Sequence, residues 1–201
     1  AHWLTTDSSK FGILVCGECG NGKSTMLDFN GYTTYGYEEE IYDIHRVYET
    51  PNHWWNADEL RDDMRGGTQY VNHFGHANTN YVAGWYNWDI TPQLFSTANG
   101  VDHNYTIFQS QGCICGDFAD DCILECMVRN ETGIIAATGN SRYGWYSTAG
   151  DASSAHFNRE LVDAYVHERI PDLGNAFKES KIQTAPYITM NGEIGTMRQE
   201  H

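Results

Sequence analysis

Short apolar runs that begin or end at glycine, with helix-forming stretches between them, constrain the fold of this chain most strongly. Residues 11–16 (FGILVC) and residues 133–138 (GIIAAT) have the length and content of strands buried on both faces. Residues 41–48, 68–74 and 105–110 also read as strands. Because strands that alternate with helices form parallel sheets covered on both faces, the pattern predicts an α/β fold.

The helical segments are marked by capping and by side-chain spacing. Asn56 precedes a short stretch with acidic residues in its first turn, which is typical of a helix N-cap. Residues 157–166 predict a longer helix from their apolar spacing. A further helix is predicted to begin near Asp117 and to pack one face inward, and that face comprises Phe118, Cys122, Ile123, Cys126 and Met127.

Length and charge narrow the class of protein. The 201 residues suit one compact domain, residues 1–201 with a core over about residues 12–180. A net charge of −15 repels phosphate backbones and anionic lipids, so nucleic acid and membrane surfaces are not expected partners. No apolar run approaches the roughly 20 residues of a membrane span, and no signal peptide is visible. We expect the chain to be a fragment of a longer precursor.

Residues 17–24 (GECGNGKS) match the phosphate-binding pattern G-x4-G-K-[ST] and follow a predicted strand. That pattern requires a helix directly after Ser24, so that the helix N-terminus faces the phosphates. The following sequence, TMLDFNGYTTYGYEEE, contains two glycines and adjacent threonines and is unsuited to a full helix. The stretch is interpreted as a glycine-rich surface loop, and nucleotide binding is kept as a third hypothesis.

Three further segments stand at or near strand ends: YVNHFGHANTNY (70–81), SQGCICGDF (110–118) and GNSRYGW (139–145). Together they resemble the gingipain family, a group of caspase-like (clan CD) cysteine peptidases. The resemblance runs in order from about residue 12 to residue 180. It implies a caspase-like three-layer α/β/α sandwich with a mostly parallel sheet. It also implies cysteine endopeptidase activity through a Cys–His dyad.

The resemblance assigns roles to individual residues. Cys113 aligns with the nucleophile and His76 with its acid–base partner, while the backbone amides of Ala77 and Cys113 correspond to the oxyanion hole. Glu18 matches an acidic residue that orients the histidine, and Trp145 matches a wall of the pocket for the substrate P1 side chain. His73 is a rival base, but on a strand it faces the opposite way from His76. Ala77 departs from the glycine of the classical gingipains.

The roles of the other cysteines and the residue that recognises the substrate P1 side chain stay open. The segments around Cys16, Cys19 and Cys115 lack a paired zinc-binding spacing, and Cys115 is either a bystander or a disulfide partner. Substrates with a basic P1 side chain are the ones that we expect to test first. Asp28 and the acids at 38–40 compete as its recognition residue.

The resemblance also sets expectations about surroundings. No organic cofactor is required; structural calcium is compatible with the many Asp, Glu and Asn residues, but no loop has a defined ligand spacing. The expected partners are a polypeptide substrate and flanking domains of the same precursor, in a secreted or cell-surface protein. The alternative hypothesis is a catalytically inactive relative that serves as a structural or adhesive domain.

Overall fold

The computed structural model describes residues 12–17, 43–48, 56–144 and 153–191 of the chain. Within these ranges the strands, in chain order, are β1 (Gly12–Gly17), β2 (Asp43–Tyr48), β3 (Thr68–Phe74), β4 (Ala77–Asn78), β5 (Tyr81–Val82), β6 (Trp85–Tyr86), β7 (Thr106–Ser110) and β8 (Ile134–Thr138). The α-helices are α1 (Ala57–Arg65), α2 (Ile123–Arg129), α3 (Ser153–Val162) and α4 (Leu173–Asn191). A π-helical turn, Asp163–His167, continues α3.

Five of these strands form one parallel sheet in the order β2-β1-β3-β7-β8. The strands lie within a residue or two of the positions that the apolar runs predict. All five run the same way, so their carboxyl ends meet at one edge of the sheet, where α/β proteins place their sites. β3 and β7 are neighbours in the sheet, with His73 opposite Ser110 in the register.

Helices cover both faces of the sheet. On one face Val71 and Phe108 pack in a core with Leu60 of α1 and Met127 of α2. On the other face Tyr70 and Ile107 pack with residues of α3, its π-helical turn and α4, namely Leu161, Val162, Ala164, Tyr165 and Ala176. Successive residues of a strand point to opposite faces, which is why Tyr70 and Val71 belong to different cores. The predicted α/β/α layering is confirmed.

Helix α1 begins where its sequence predicts. The Asn56 side chain accepts hydrogen bonds from the backbone amides of Asp58 and Glu59, at 2.9 and 3.1 Å. These bonds satisfy two of the amides that the first helical turn leaves without partners, and Asp58 and Glu59 carry the negative charge that the helix N-terminus favours. Leu60 and Met64, four residues apart, are fully buried against the sheet.

The prediction that a helix begins near Asp117 is wrong. α2 begins at Ile123, with Cys122 as its N-cap, and Phe118 stands outside it with 71% of its surface exposed. The Asp117 side chain accepts the Ala119 amide at 3.3 Å, a local turn that competes with a helical start. Cys122 is fully buried as expected, whereas Cys126 is only partly buried.

A small antiparallel sheet follows β3 directly. Its strands β4, β5 and β6 pair in that order, with Ala77 opposite Val82 and Val82 opposite Trp85. Val82 and Trp85 are buried in the core beneath α1, and Trp85 meets Phe95 edge-on at 5.2 Å. The chain that leaves the main sheet at Phe74 is therefore anchored within a few residues.

Candidate active site

Cys113 lies in a tight turn just beyond the carboxyl end of β7. The Gly112 amide donates to the Ser110 hydroxyl at 3.0 Å, and the Ile114 amide donates to the Arg142 carbonyl at 2.6 Å. Ile114 has a φ of 45°, a left-handed conformation that an isoleucine seldom adopts. The Cys113 thiol is partly exposed and lies 3.8 Å from the Gly144 carbonyl oxygen. The turn therefore presents a sulfur atom at the sheet edge, accessible from outside.

The His76 segment touches this turn. A Cβ atom added at Gly112 would lie 2.3 Å from the Ala77 Cβ and 3.2 Å from the Gly75 carbonyl oxygen. Only glycine allows so close an approach, so Gly112 brings the turn before Cys113 against the residues on either side of His76. The His76 side chain is exposed. Among the described residues no hydrogen bond joins its ring to the Cys113 thiol, and such bonds are often long before substrate binds.

The backbone around Cys113 leaves one amide unused. The amides of Gly112 and Ile114 both donate hydrogen bonds, to Ser110 and Arg142. Within the described parts of the chain the Cys113 amide donates none. Peptide bond hydrolysis by a thiol needs donors of this kind beside the nucleophile, because negative charge develops on the carbonyl oxygen. Ala77, the second expected donor, stands opposite Val82 in the register of the small sheet.

The loop after β8 supports the nucleophile turn from the other side. The Asn140 side chain donates to the Gln111 carbonyl at 3.0 Å, and the Asn140 carbonyl accepts the Gly116 amide at 3.0 Å. A Cβ added at Gly144 would lie 2.2 Å from the same Gln111 carbonyl oxygen, so this position too requires glycine. The family resemblance of residues 139–145 (GNSRYGW) concerns the tryptophan, and nothing in that pattern predicts the supporting contacts of Asn140 and Gly144.

His73 and His76, the two candidate bases, occupy different environments. His73 is completely buried, and its ring Nδ1 lies 2.9 Å from the Ser110 hydroxyl. The His73 ring stacks over Phe108 at a centroid distance of 6.3 Å. His76 is at the surface beside the Cys113 turn. Because β3 ends at Phe74, two residues before His76, the alternation of side chains along a strand does not account for the exposure of His76.

Cys115 is a buried thiol with no access to solvent. It donates to the Gly112 carbonyl at 3.5 Å, and burial raises the pKa of the Cys115 thiol to about 11. A thiol that stays protonated at neutral pH is a poor nucleophile. Because α2 begins at Ile123, its N-terminus is ten residues beyond Cys113 and does not serve the Cys113 thiol as the sequence argument supposed.

A small cavity opens on the α3 and α4 face of the sheet beside this turn. Its walls combine the rings of Phe157 and Phe177 with neutral polar residues such as Gln111. The Thr138 hydroxyl also lines this cavity, and it is buried there with no hydrogen-bond partner among the described residues. Gln111 precedes Cys113 by two residues, so the cavity adjoins the nucleophile turn.

Several predicted residues lie outside the described ranges. These are Glu18, Cys19, Trp145 and the acids at 28 and 38–40. The phosphate-binding pattern also lies outside them, except for Gly17 at the end of β1. The side chain of Cys16 is likewise not described. Within the described residues no three His, Cys, Asp or Glu side chains form a group that could hold a metal ion.

Comparisons with known proteins identify the family and the fold of the chain. The model of peptidase family C25 matches residues 8–200. The crystal structure of the Arg specific cysteine proteinase gingipain R (RGPB) superposes with a TM-score of 0.67 at 16% identity, over 94% of this chain and 45% of that chain. The complex of Porphyromonas gingivalis RgpB pro- and mature domains gives a TM-score of 0.55 at 18% identity, over 80% and 38%. A comparison with curated protein sequences found no match.

The chain thus spans less than half the length of either solved relative. At these identities the superpositions establish the fold, and they confirm the caspase-like arrangement that the sequence predicts.

Proposed function

The chain belongs to peptidase family C25, as its resemblance to the gingipains predicts, and from that premise we propose that it is a cysteine endopeptidase with Cys113 as nucleophile and His76 as acid–base partner. One observation carries the proposal. The turn that presents the accessible Cys113 thiol packs, through Gly112, against the residues that flank His76. Two strand ends of one parallel sheet thereby supply the two groups that thiol-dependent hydrolysis needs.

The proposed reaction proceeds in two steps. The Cys113 thiolate forms a bond to the substrate carbonyl carbon, and the protonated His76 ring gives its proton to the leaving amine as the C–N bond breaks. Water then attacks the thioester, releasing the carboxylic acid and restoring the Cys113 thiol. The unused Cys113 amide supports the proposal that it binds the oxyanion, together with the amide of Ala77.

Other parts of the site are proposed from the resemblance. Glu18 orients His76, and Trp145 forms a wall of the P1 pocket. A basic P1 residue is the first to test, since one structural relative is an Arg specific cysteine proteinase and this chain carries a net charge of −15. The described cavity walls supply no charge for such a residue, so the acids at 28 or 38–40 would have to do so.

The setting of the enzyme is also a proposal. We place it as one domain of an exported or surface protein with flanking domains, which the pro- and mature-domain complex of a structural relative supports. Its chemistry uses the protein's own groups, and any calcium would be structural. No helix in the described ranges has both the length and the apolar content to cross a membrane.

The test compares single substitutions on a fluorogenic peptide library, with calcium and reductant present. Cys113→Ala is expected to remove essentially all turnover, and His76→Ala to lower kcat/KM about 100-fold or more. Cys126→Ala, the matched control, keeps its activity because that thiol is on α2 and has no contact with the Cys113 turn among the described hydrogen bonds. Iodoacetamide is expected to label Cys113 before Cys126 or Cys122.

Two results would overturn the proposal. The first is a wild-type protein that cleaves no peptide, which would favour the structural or adhesive relative. The second is turnover that survives Cys113→Ala and disappears in Cys115→Ala. Tight, saturable binding of magnesium nucleotide that Lys23→Ala abolishes would instead favour the nucleotide-binding hypothesis.

A further inference from the structure

The last pair of opposite residues between β3 and β7, here called the last rung of the sheet, comes just before the two strand ends that carry the proposed dyad. His73 and Ser110 are opposite each other in the parallel register, and the Gln111 amide donates to the His73 carbonyl at 2.9 Å. His76 follows His73 by three residues, and Cys113 follows Ser110 by three residues. Any change in this rung therefore shifts both strand ends that carry the reacting groups.

The same rung is joined by its side chains. The His73 ring Nδ1 lies 2.9 Å from the Ser110 hydroxyl oxygen, and that oxygen accepts the Gly112 amide at 3.0 Å. His73 and Ser110 are buried, with 0% and 4% of their surfaces exposed. A buried network of this kind is rigid, because any member that moves leaves a polar group without water or a partner.

We propose that His73 and Ser110 are positioning residues for the peptidase site, an inference that rests on the proposed function. The Ser110 hydroxyl holds the Gly112 amide and so fixes the turn, in which the neighbouring Cys113 amide donates no hydrogen bond to any described residue. His73 holds the Ser110 hydroxyl in place from β3. The pair thereby fixes the Cys113 turn against the strand that leads to His76.

The physical reason is the cost of an unpaired amide. Without the Ser110 hydroxyl the buried Gly112 amide loses its acceptor, and the turn rearranges to find another. The approach of Gly112 to Ala77 leaves little room, since even one added carbon atom would collide there. A displaced turn moves the thiol and the oxyanion donor together, and errors near 1 Å in such groups lower rates severely.

The chain offers a matched control at the other end of the same two strands. The Thr106 hydroxyl of β7 donates to the Thr68 carbonyl of β3 at 2.6 Å, and both residues are buried. Thr106→Val removes one buried hydroxyl between β3 and β7, as Ser110→Ala does, but at the amino-terminal edge of the sheet. Thermal unfolding of both variants checks that their losses of stability are comparable.

The experiment measures kcat, KM and the rate of Cys113 alkylation by iodoacetamide for each folded variant. Ser110→Ala and His73→Leu are each expected to lower kcat about tenfold or more, with KM within about twofold of the wild type. His73→Asn, whose amide can reach the position of the ring Nδ1, restores most of kcat. The double variant Ser110→Ala with His73→Leu falls no further than the worse single variant, because both act through one network.

The alkylation rate separates this inference from the proposed function. It is expected to fall several-fold in Ser110→Ala and to stay unchanged in Thr106→Val, whether or not the protein cleaves peptides. Equal rates in Ser110→Ala and wild type would overturn the positioning role. So would a loss of kcat in Thr106→Val as large as that in Ser110→Ala. A wild type that alkylates at Cys113 but cleaves nothing would overturn the proposed function alone.

Discussion

The two faces of the main sheet are built from different chemistry. Under α1 and α2 the sheet buries apolar side chains such as Val71 and Phe108, which are both fully inaccessible. Under α3, the next residue of β7 is Gln109, which accepts a hydrogen bond from the Tyr70 hydroxyl and donates one to the Asn158 side chain. At the level of Phe108 and Gln109 the strand thus carries an apolar core on one side and a buried polar chain on the other, whereas Ser110, on the same side as Phe108, contacts His73 at the carboxyl end of that face.

The difference shows how one sheet can be both stable and specific. Apolar burial scales with area and tolerates many arrangements of side chains, so the α1 and α2 face supplies stability. A buried hydrogen-bonded chain tolerates few arrangements, since each member needs its partner at one distance and angle. Gln109 therefore fixes how α3 sits on β7, next to the turn that carries Cys113. Three predictions test this contrast.

The largest effect is expected from Phe108→Ala on the apolar face. Removing a fully buried ring leaves a cavity, and we expect the free energy of unfolding to fall by about 4 kcal/mol. Denaturant unfolding measures the loss. Val101→Ala, at a position with 89% of its surface exposed, is the control and should change it by less than about 0.5 kcal/mol. A loss below about 2 kcal/mol in Phe108→Ala would mean that this face does not supply most of the stability.

A smaller effect, about 3 kcal/mol, is expected from Gln109→Leu on the polar face, because this change removes both hydrogen bonds at once. The informative comparison is with a double variant that also carries Asn158→Leu. Replacing both members of a buried polar pair by apolar groups restores part of the loss, whereas no second truncation repairs Phe108→Ala. Additive losses in the double variant would contradict the hydrogen-bonded account of this face.

The smallest effect is the dependence of the free energy of unfolding on pH, and it comes from Cys115 in the apolar core. The folded protein holds the pKa of the Cys115 thiol at about 11 through burial, against an ordinary value of 9.0. Below pH 9 the thiol is protonated in both states. Between pH 9 and 11 only the unfolded chain releases the proton, so stability falls as pH rises. The wild type should lose about 2 kcal/mol more than Cys115→Ala over this window.

Unfolding curves at pH 8 and pH 11 measure the difference. Burial also raises the pKa of Tyr70 on the opposite face, but both proteins carry that residue, so its contribution cancels. Identical slopes for wild type and Cys115→Ala would show that the Cys115 thiol is less buried than its place in the core requires.

The sequence predicts the strands better than the turns between them. Buried strands and the α1 cap depend on local composition, so the runs at 11–16 and 133–138 and the role of Asn56 could be found by inspection. The helix near Asp117 was placed wrongly because apolar spacing does not register a side chain that closes its own turn. Cys113 and His76 were selected through family resemblance, since spacing alone does not distinguish a reacting thiol from a core thiol.

The sequence by itself determined the parallel α/β architecture, the family, and which strand ends carry the candidate cysteine and histidine. Only the tertiary structure decided that His73 is interior and His76 exposed, that Gly112 meets Ala77, and that Ser110 supports the turn between them. The reason is the range of the forces. Strand and cap signals act over a few neighbouring residues, whereas residues 73 and 110 come within hydrogen-bonding distance only when β3 and β7 pair side by side.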